Sequence, residues 1–381
     1  MIGSERDRRR MWLALSRVGN AVGHRAADRF RTRHGRPGTN LEAAFEHPES
    51  MSADLLPSEL DWEAALLVAE HGLDAAEEEI VRAERIGARI LDVEDAEYPE
   101  RLRAIADAPL ALFVLGSLEP CDARGVAVVG SRASTRYGAE MTRRIVAPLA
   151  YRRLTIVSGM AKGIDAAAHH AALEGGTRTI AVLGTGIDVC YPDSSMDLYE
   201  KIPGRGAILS ESAPGTIAYP SVFKPRNRIV SALSKAVVVV EARLQSGALN
   251  TAAHARDQGR DLYAVPGDAD IARSEGANRL MTEFSAVPAL SGTDVLWKSF
   301  SHLYEDDDVR GVVAPESLDP VQARVRDLLR DGGASFDELL ARAGMTVPRL
   351  LAVLSGLERA GIAHRNERGQ YVRFGKTHVS G

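Results

Sequence analysis

Three glycine-bearing turns hold the side chains best suited to chemistry. The first is VVGSR at 128–132. Gly130 frees backbone N–H groups, Ser131 adds a hydroxyl, and Arg132 offers a fork that fits a phosphate. The second is SGMAKGID at 158–165, where Ser158, Gly159 and Gly163 surround Lys162. The third lies in VEARLQSGALNTAAHA at 240–255, where Ser246, Gly247 and Thr251 make a polar helix start. Glu241 ends the strand before it, as a base or as a cap for loop N–H groups, and the structural role is expected. The densest basic segment is FKPRNRI at 223–229. Pro225 suits a first helical position, which would gather Lys224, Arg226 and Arg228 at a helix N-terminus that itself favours anions. Phe223 adds an aromatic face. Cation, helix end and ring together suit phosphate neutralisation and base stacking.

Familiar enzyme signatures are incomplete. Neither VVGSR nor the GTG at 184–186 completes a dinucleotide fingerprint; after GTG, Val189 stands where the third glycine belongs. No G-x-x-x-x-G-K-[ST] phosphate loop occurs. Asp165 and His169 are four residues apart on one predicted helix. A catalytic or metal pair would need further ligands at matching spacing, and none follows, so a hydrogen bond that orders a loop is expected. Neither a metal nor a cofactor is expected.

The elements that must position these turns show in the apolar runs. GVAVV, LTIV, TIAVL, AIL, AVVVV and LYAV recur between helical segments over residues 125–290. Short β-branched strands alternating with helices predict a Rossmann-like, doubly wound, mostly parallel sheet, and runs apolar on both faces fit strands buried within it. Such a sheet presents its ligand loops beyond the carboxyl ends of the strands. The domain is expected to span 89–300, with short strands and turns at its entry. Residues 1–88 read as helical, with ten arginines between 6 and 36. VGNAVG at 18–23 suits a helix–hairpin–helix, Gly19 and Gly23 letting backbone approach a phosphate. A plain helical turn with solvated arginines is the plainer alternative. Further helices fit 61–71 and 74–86. An acidic linker covers 301–317, and 318–375 reads as winged-helix-like: helix, turn, helix, then a two-stranded wing. That last unit has nine arginines against seven Asp and Glu between 318 and 374, scarcely basic. Its second helix carries only Arg349 and Arg359 beside Glu358, which suits a partner or weak duplex binding as well as base reading.

Bulk composition narrows the class. The 381 residues are 45% apolar and 26% charged, with a formal net charge of −5. No global basic field announces a polyanion, so any such binding must come from local patches. The longest aliphatic runs fall far short of a membrane span of roughly 20 residues, and the charged N-terminus lacks a signal core. Two cysteines, Cys121 and Cys190, suggest two buried thiols. A reduced, cytoplasmic setting is expected.

Taken together, VGSR, SGMAKGIDAAAHHAAL, GTGIDVCYP, LSE, F-x-x-RNR, VVEA-x-x-x-SGALNTA and AVPG resemble, in order and spacing, the DNA-processing-A (DprA/Smf) family. The likeness covers roughly residues 96–282, and YPERLRAIADAPLALFVLGS upstream is similar too. The resemblance implies a non-enzymatic Rossmann-like protein that binds single-stranded DNA. It implies protection of incoming strands in natural transformation, hand-over to the recombinase RecA, and a homodimer. Carried over residue by residue, the DNA site is Ser131, Arg132, Lys162, Phe223, Lys224, Arg226, Asn227 and Arg228. This sequence departs from the family at Lys224, where proline usually follows the phenylalanine, and at TEFSAVPAL after AVPG. The competing reading is a nucleotide-binding or nucleotide-hydrolysing enzyme on the same fold. Hydrolases of the lysine-decarboxylase-like group look like PGGxGTxxE, and RLQSGALNTAAHA lacks the paired glycines and the glutamate.

Overall fold

A computed structural model describes residues 5–22, 62–301, 303, 320–329, 333–359, 363–365 and 369–373. Two helices come first, α1 (Glu5–Val22) and α2 (Trp62–Arg85), then strands β1 (Arg89–Asp92) and β2 (Ala111–Gly116). The six apolar runs become β3 (Gly125–Val129), β4 (Ile156–Ser158), β5 (Thr179–Leu183), β6 (Gly206–Ser210), β7 (Ser234–Val239) and β8 (Asp261–Ala264). Between and after them lie α3 (Arg136–Tyr151), α4 (Ile164–Glu174), α5 (Pro220–Ala232), α6 (Gly247–Asp257), α7 (Ala272–Glu283), β9 (Val287–Pro288) and α8 (Gly292–Ser299).

The nine strands form one sheet in the order β1-β2-β6-β5-β4-β3-β7-β8-β9. The pairs from β6 to β9 are parallel, while β1–β2 and β2–β6 are antiparallel. The expected doubly wound, mostly parallel sheet is therefore present. Every residue of β3, β5 and β6 is buried, because helices cover both faces. The chain builds outward from β3 through β4 on one side and through β7 on the other. That fork is a topological switch point, where the flanking loops part and leave a crevice.

The first two helices share the core of the sheet. Trp12 of α1 packs in the same cluster as Leu91, Leu112 and Val114. Leu13, with Ala76 and Ile80 of α2, joins Ile90, Phe113 and Leu183 on the other face. Where two helices were expected at 61–71 and 74–86, α2 runs unbroken, and Gly72 lets Ala14 of α1 approach it closely. α1 likewise continues through Gly19 to Val22, so Gly19 is not in a turn. Gly23 and the acidic stretch 305–317 lie outside the described residues.

The C-terminal unit comprises α9 (Pro320–Leu328), α10 (Phe336–Ala343), α11 (Val347–Arg359) and the antiparallel pair β10 (Ala363–Arg365) and β11 (Tyr371–Arg373). Ser335 and Glu338 form a capping box at the start of α10. Val325, Leu339, Leu350, Leu354 and Leu357 make the small core, and Tyr151 of α3 packs against it. Cys121 and Cys190 are free and half-buried rather than fully buried, and burial raises the pKa of both thiols. Among the described residues, no single helix is long and apolar enough to cross a membrane.

Candidate functional site

The loops after β3, β4 and β7 meet above the fork. Ser131 Oγ accepts from the Ala133 N–H at 3.2 Å, and the Ser131 carbonyl accepts from Ile164 N at 3.1 Å. The second bond pins the β3 loop to the first turn of α4. Gly163, at φ 80°, passes so close to that carbonyl that a Cβ would collide with it. Asp165 is buried beneath the loops and accepts from Gly159 N at 3.2 Å, with the N–H groups of Gly130 and Ala161 also turned on it. Burial raises its pKa, opposed by Arg226 and those N–H groups. Asp165 does not bond His169, as the four-residue spacing had suggested. His169 Nδ1 lies 2.7 Å from Thr179 Oγ1, at the far end of the sheet. Glu241 takes the capping role expected of it, accepting from Thr135 N at 2.9 Å and from the Thr135 hydroxyl.

The basic segment is arranged differently from the sequence expectation. α5 starts at Pro220, and Pro225 lies inside it. Lys224, Arg226 and Arg228 therefore fan around a formed helix instead of sharing its N-terminus. Lys224 is exposed. Arg226 is only 6% exposed and donates from Nη1 to the carbonyls of Gly159, at 2.8 Å, and Val182. Burial pushes its pKa down to about 10; Asp165 opposes that shift and Arg132 adds to it. Arg228 is 1% exposed and faces away, held by Glu211 at 2.8 Å and 2.9 Å and by Asp107 at 3.2 Å. Burial opposes its charge, but Glu211 and Asp107 leave the pKa above the ordinary value. Asn227 Nδ2 donates to the Gly247 carbonyl at 3.2 Å, tying α5 to the start of α6.

Two cavities open along this edge. One of about 440 Å³ is lined by Gly130, Ser131, Arg132, Gly159, Arg226, Asn227, Ser246, Gly247 and Thr251 among the expected residues. A smaller one of about 110 Å³ is lined by Lys162 and Phe223, and shares Arg132, Gly159 and Arg226 with the first. The Arg132 guanidinium lies 4.9 Å from the centre of the Phe223 ring, and the Tyr191 ring lies 5.5 Å from it. Ser158 is buried, donating to Val128 O at 2.7 Å, and lines neither cavity.

Residues 89–299 match the family described as DNA recombination-mediator protein A, and residues 312–366 match the DprA winged helix domain. The chain belongs to the DNA recombination-mediator protein A family. A putative DNA processing protein DprA of Mycobacterium tuberculosis is 35% identical over 324 residues, covering 81% of this chain and 83% of that protein. The DNA processing protein DprA of Streptococcus pneumoniae is 44% identical over 199 residues, 52% of this chain and 70% of that one. The X-ray structure of the Streptococcus pneumoniae protein superposes with a TM-score of 0.68 at 32% identity, covering 78% of this chain and 99% of that one. DNA processing protein A from Helicobacter pylori, whose structure addresses a single-stranded DNA binding mode, gives a TM-score of 0.50 at 28% identity over 55% of this chain and 94% of that one.

Within this member of the DprA family, sequence reasoning missed Tyr191, Arg243 and Gln245, which also line the cavities. Tyr191 stands inside the GTGIDVCYP segment, and its pairing with Phe223 was hidden by the distance between them along the chain. Arg243 precedes Ser246 by three residues, so a cation before a polar helix start was the available signal. Among the described residues no group of three or more His, Cys, Asp or Glu could hold a metal ion.

Proposed function

We propose that this protein captures single-stranded DNA along the carboxyl edge of its sheet, by phosphate neutralisation and base stacking, and acts by binding rather than by chemistry. The observation that carries the reading is the cluster of Arg132, Phe223 and Tyr191 flanked by exposed Lys162 and Lys224. A cation over a ring beside a second ring gives a base a stacking surface with phosphate contacts next to it. Binding is expected to be largely indifferent to sequence and to weaken steeply with salt. The titratable groups nearest the cavities support a non-catalytic role, because Asp165 and Glu241 are consumed by loop hydrogen bonds. Arg226 props the floor of the groove, and Arg228 supports α5 from behind.

The family resemblance and the similarity to a protein studied for single-stranded DNA binding support the same ligand. The finer role we propose is protection of incoming strands in natural transformation and their hand-over to RecA, by a homodimer in the cytoplasm. Fluorescence anisotropy of a labelled oligothymidine strand and its duplex, across a salt series, tests the binding. We expect strand preference that falls with salt and is lost in Arg132→Ala/Lys162→Ala. Binding flat with salt, or unchanged in that double variant, refutes the reading.

A further inference from the structure

The larger cavity has features that a passing phosphodiester does not need. Its volume of about 440 Å³ lies in the range of small-ligand pockets. Three arginines line it, Arg132, Arg226 and Arg243, against one acidic residue, Asp165. Three positive charges less one negative leave +2. Asp165 accepts from loop N–H groups, and its charge offsets part of that of Arg226. Arg226 is 6% exposed, its Nη1 and Nε donate within the protein, and the residue still lines the cavity. A guanidinium that borders a cavity can add a charge-assisted hydrogen bond to a ligand oxygen. The start of α6, capped by Ser246, closes the same wall and adds the positive end of a helix. Both rings belong to the smaller cavity next door, joined to this one through Arg132 and Arg226.

An internal phosphodiester carries one negative charge, whereas a phosphate monoester carries about −1.5 to −2 at neutral pH. The cavity's balance matches the monoester. We propose that this cavity is a subsite for a phosphate monoester, either the terminal phosphate of a DNA strand or a free nucleoside monophosphate, with the attached base directed to Phe223. The inference rests on the strand-capture reading and names the part of the strand that this cavity takes.

The test uses the full chain and internally labelled oligothymidine strands ending in a 5′-phosphate, a 3′-phosphate, or hydroxyls at both ends, with thymidine monophosphate and thymidine as competitors. One phosphorylated end is expected to bind about tenfold tighter than the hydroxyl-ended strand. In Arg243→Ala that ratio falls to about one, and Arg243→Lys restores part of it. Thymidine monophosphate displacing the strand where thymidine does not assigns the site to free nucleotides as well. A phosphorylated end that gains affinity while the monophosphate fails to compete assigns it to strand ends. Equal binding of all three strands, with the monophosphate no better than thymidine, overturns the subsite and leaves strand capture standing. A ratio that persists in Arg243→Ala overturns its placement in this cavity. Binding of no strand overturns the underlying reading.

Discussion

Apart from Arg226, which donates to two backbone carbonyls, the two ends of the parallel sheet use arginine in opposite ways. At the carboxyl end, the side chains of Arg132, Lys162, Lys224 and Arg243 meet no carboxylate among the described residues. At the amino end, Arg178 grips Asp122 through two bonds of 2.9 Å and reaches Glu119 at 2.8 Å. Arg101 donates to Ala123 O at 3.2 Å, and Arg260 to the carbonyls of Arg101 and Ala232. A cavity of about 840 Å³ lies there too, but Glu97, Glu100 and Glu119 line it alongside Arg101 and Arg103. The connectivity explains the contrast. In a right-handed strand–helix–strand unit each helix begins beyond a strand's carboxyl end, so N–H groups collect there, while spare carbonyls collect at the other end and take up arginines. A protein with a net charge of −5 can thus offer a polyanion site, because uncompensated charge matters locally and the total does not.

The largest expected effect tests Arg228, which the sequence grouped with the open end and the structure places in a paired interior. Removing it would open a buried void and take from Glu211 the guanidinium that grips both its carboxylate oxygens. Arg228→Ala should cost roughly 3–5 kcal/mol of stability in urea unfolding, as loss of one partner of a buried ion pair does. A cost below about 1 kcal/mol, as for surface pairs, would return Arg228 to the exposed set. Next comes Phe223→Ala, expected to weaken oligothymidine binding by roughly 1–3 kcal/mol, the worth of one stacked base. Phe223→Tyr should retain most of the affinity. An alanine variant that binds like wild type would leave the open end with charge alone.

The difference between Arg226 and Arg228 also marks where the sequence stops being legible. The strands were readable because β-branched runs on a doubly covered sheet have few other options, and the ligand edge followed from their order. The start of α5 was not, because Pro220 and Pro225 are both acceptable near a helix start. Extended backbone at Tyr219, φ −143° and ψ 158°, decides for Pro220. The fate of Arg228 depended on Glu211, 17 residues away, and on Asp107, whose loop lies 121 residues away. No local pattern reports such a partner. Gly72 misled in the other direction: a glycine that marks a break by propensity serves here as a contact point between α1 and α2. Asp165 and His169 share a helix, yet Asp165 caps loops at one end of the sheet and His169 reaches Thr179 at the other.

His169 gives the closed end a pH signature. Burial pushes its pKa down to about 3, against 6.5 when exposed. The unfolded chain therefore takes up a proton that the folded chain refuses. The contribution to stability is whole above pH 6.5 and is lost as pH falls toward about 3. By pH 5 the loss is about 2 kcal/mol. Asp165, whose pKa burial raises, acts in the opposite sense, so the comparison must be made between variants. Urea unfolding of wild type and His169→Gln at pH 7 and pH 5 should show a shallower acid loss in the variant. Equal losses would mean that other groups set the acid limit.

The smallest effect separates a directed edge from a diffuse field. Each lysine that meets a strand phosphate contributes about 0.7 to the slope of log affinity against log salt. Lys162→Ala and Lys224→Ala should each flatten the slope by about that amount, with an affinity loss of about fivefold at low salt. Arg101→Ala, at the amino end, changes the net charge by the same single unit. If the loops above the fork hold the strand, its salt slope stays at the wild-type value, because a cation on the far side of the sheet lies beyond the roughly 10 Å screening length at 0.1 M salt. Equal flattening in all three variants would mean that binding senses total charge, and the contrast between the two ends would then be one of structure without consequence for the ligand.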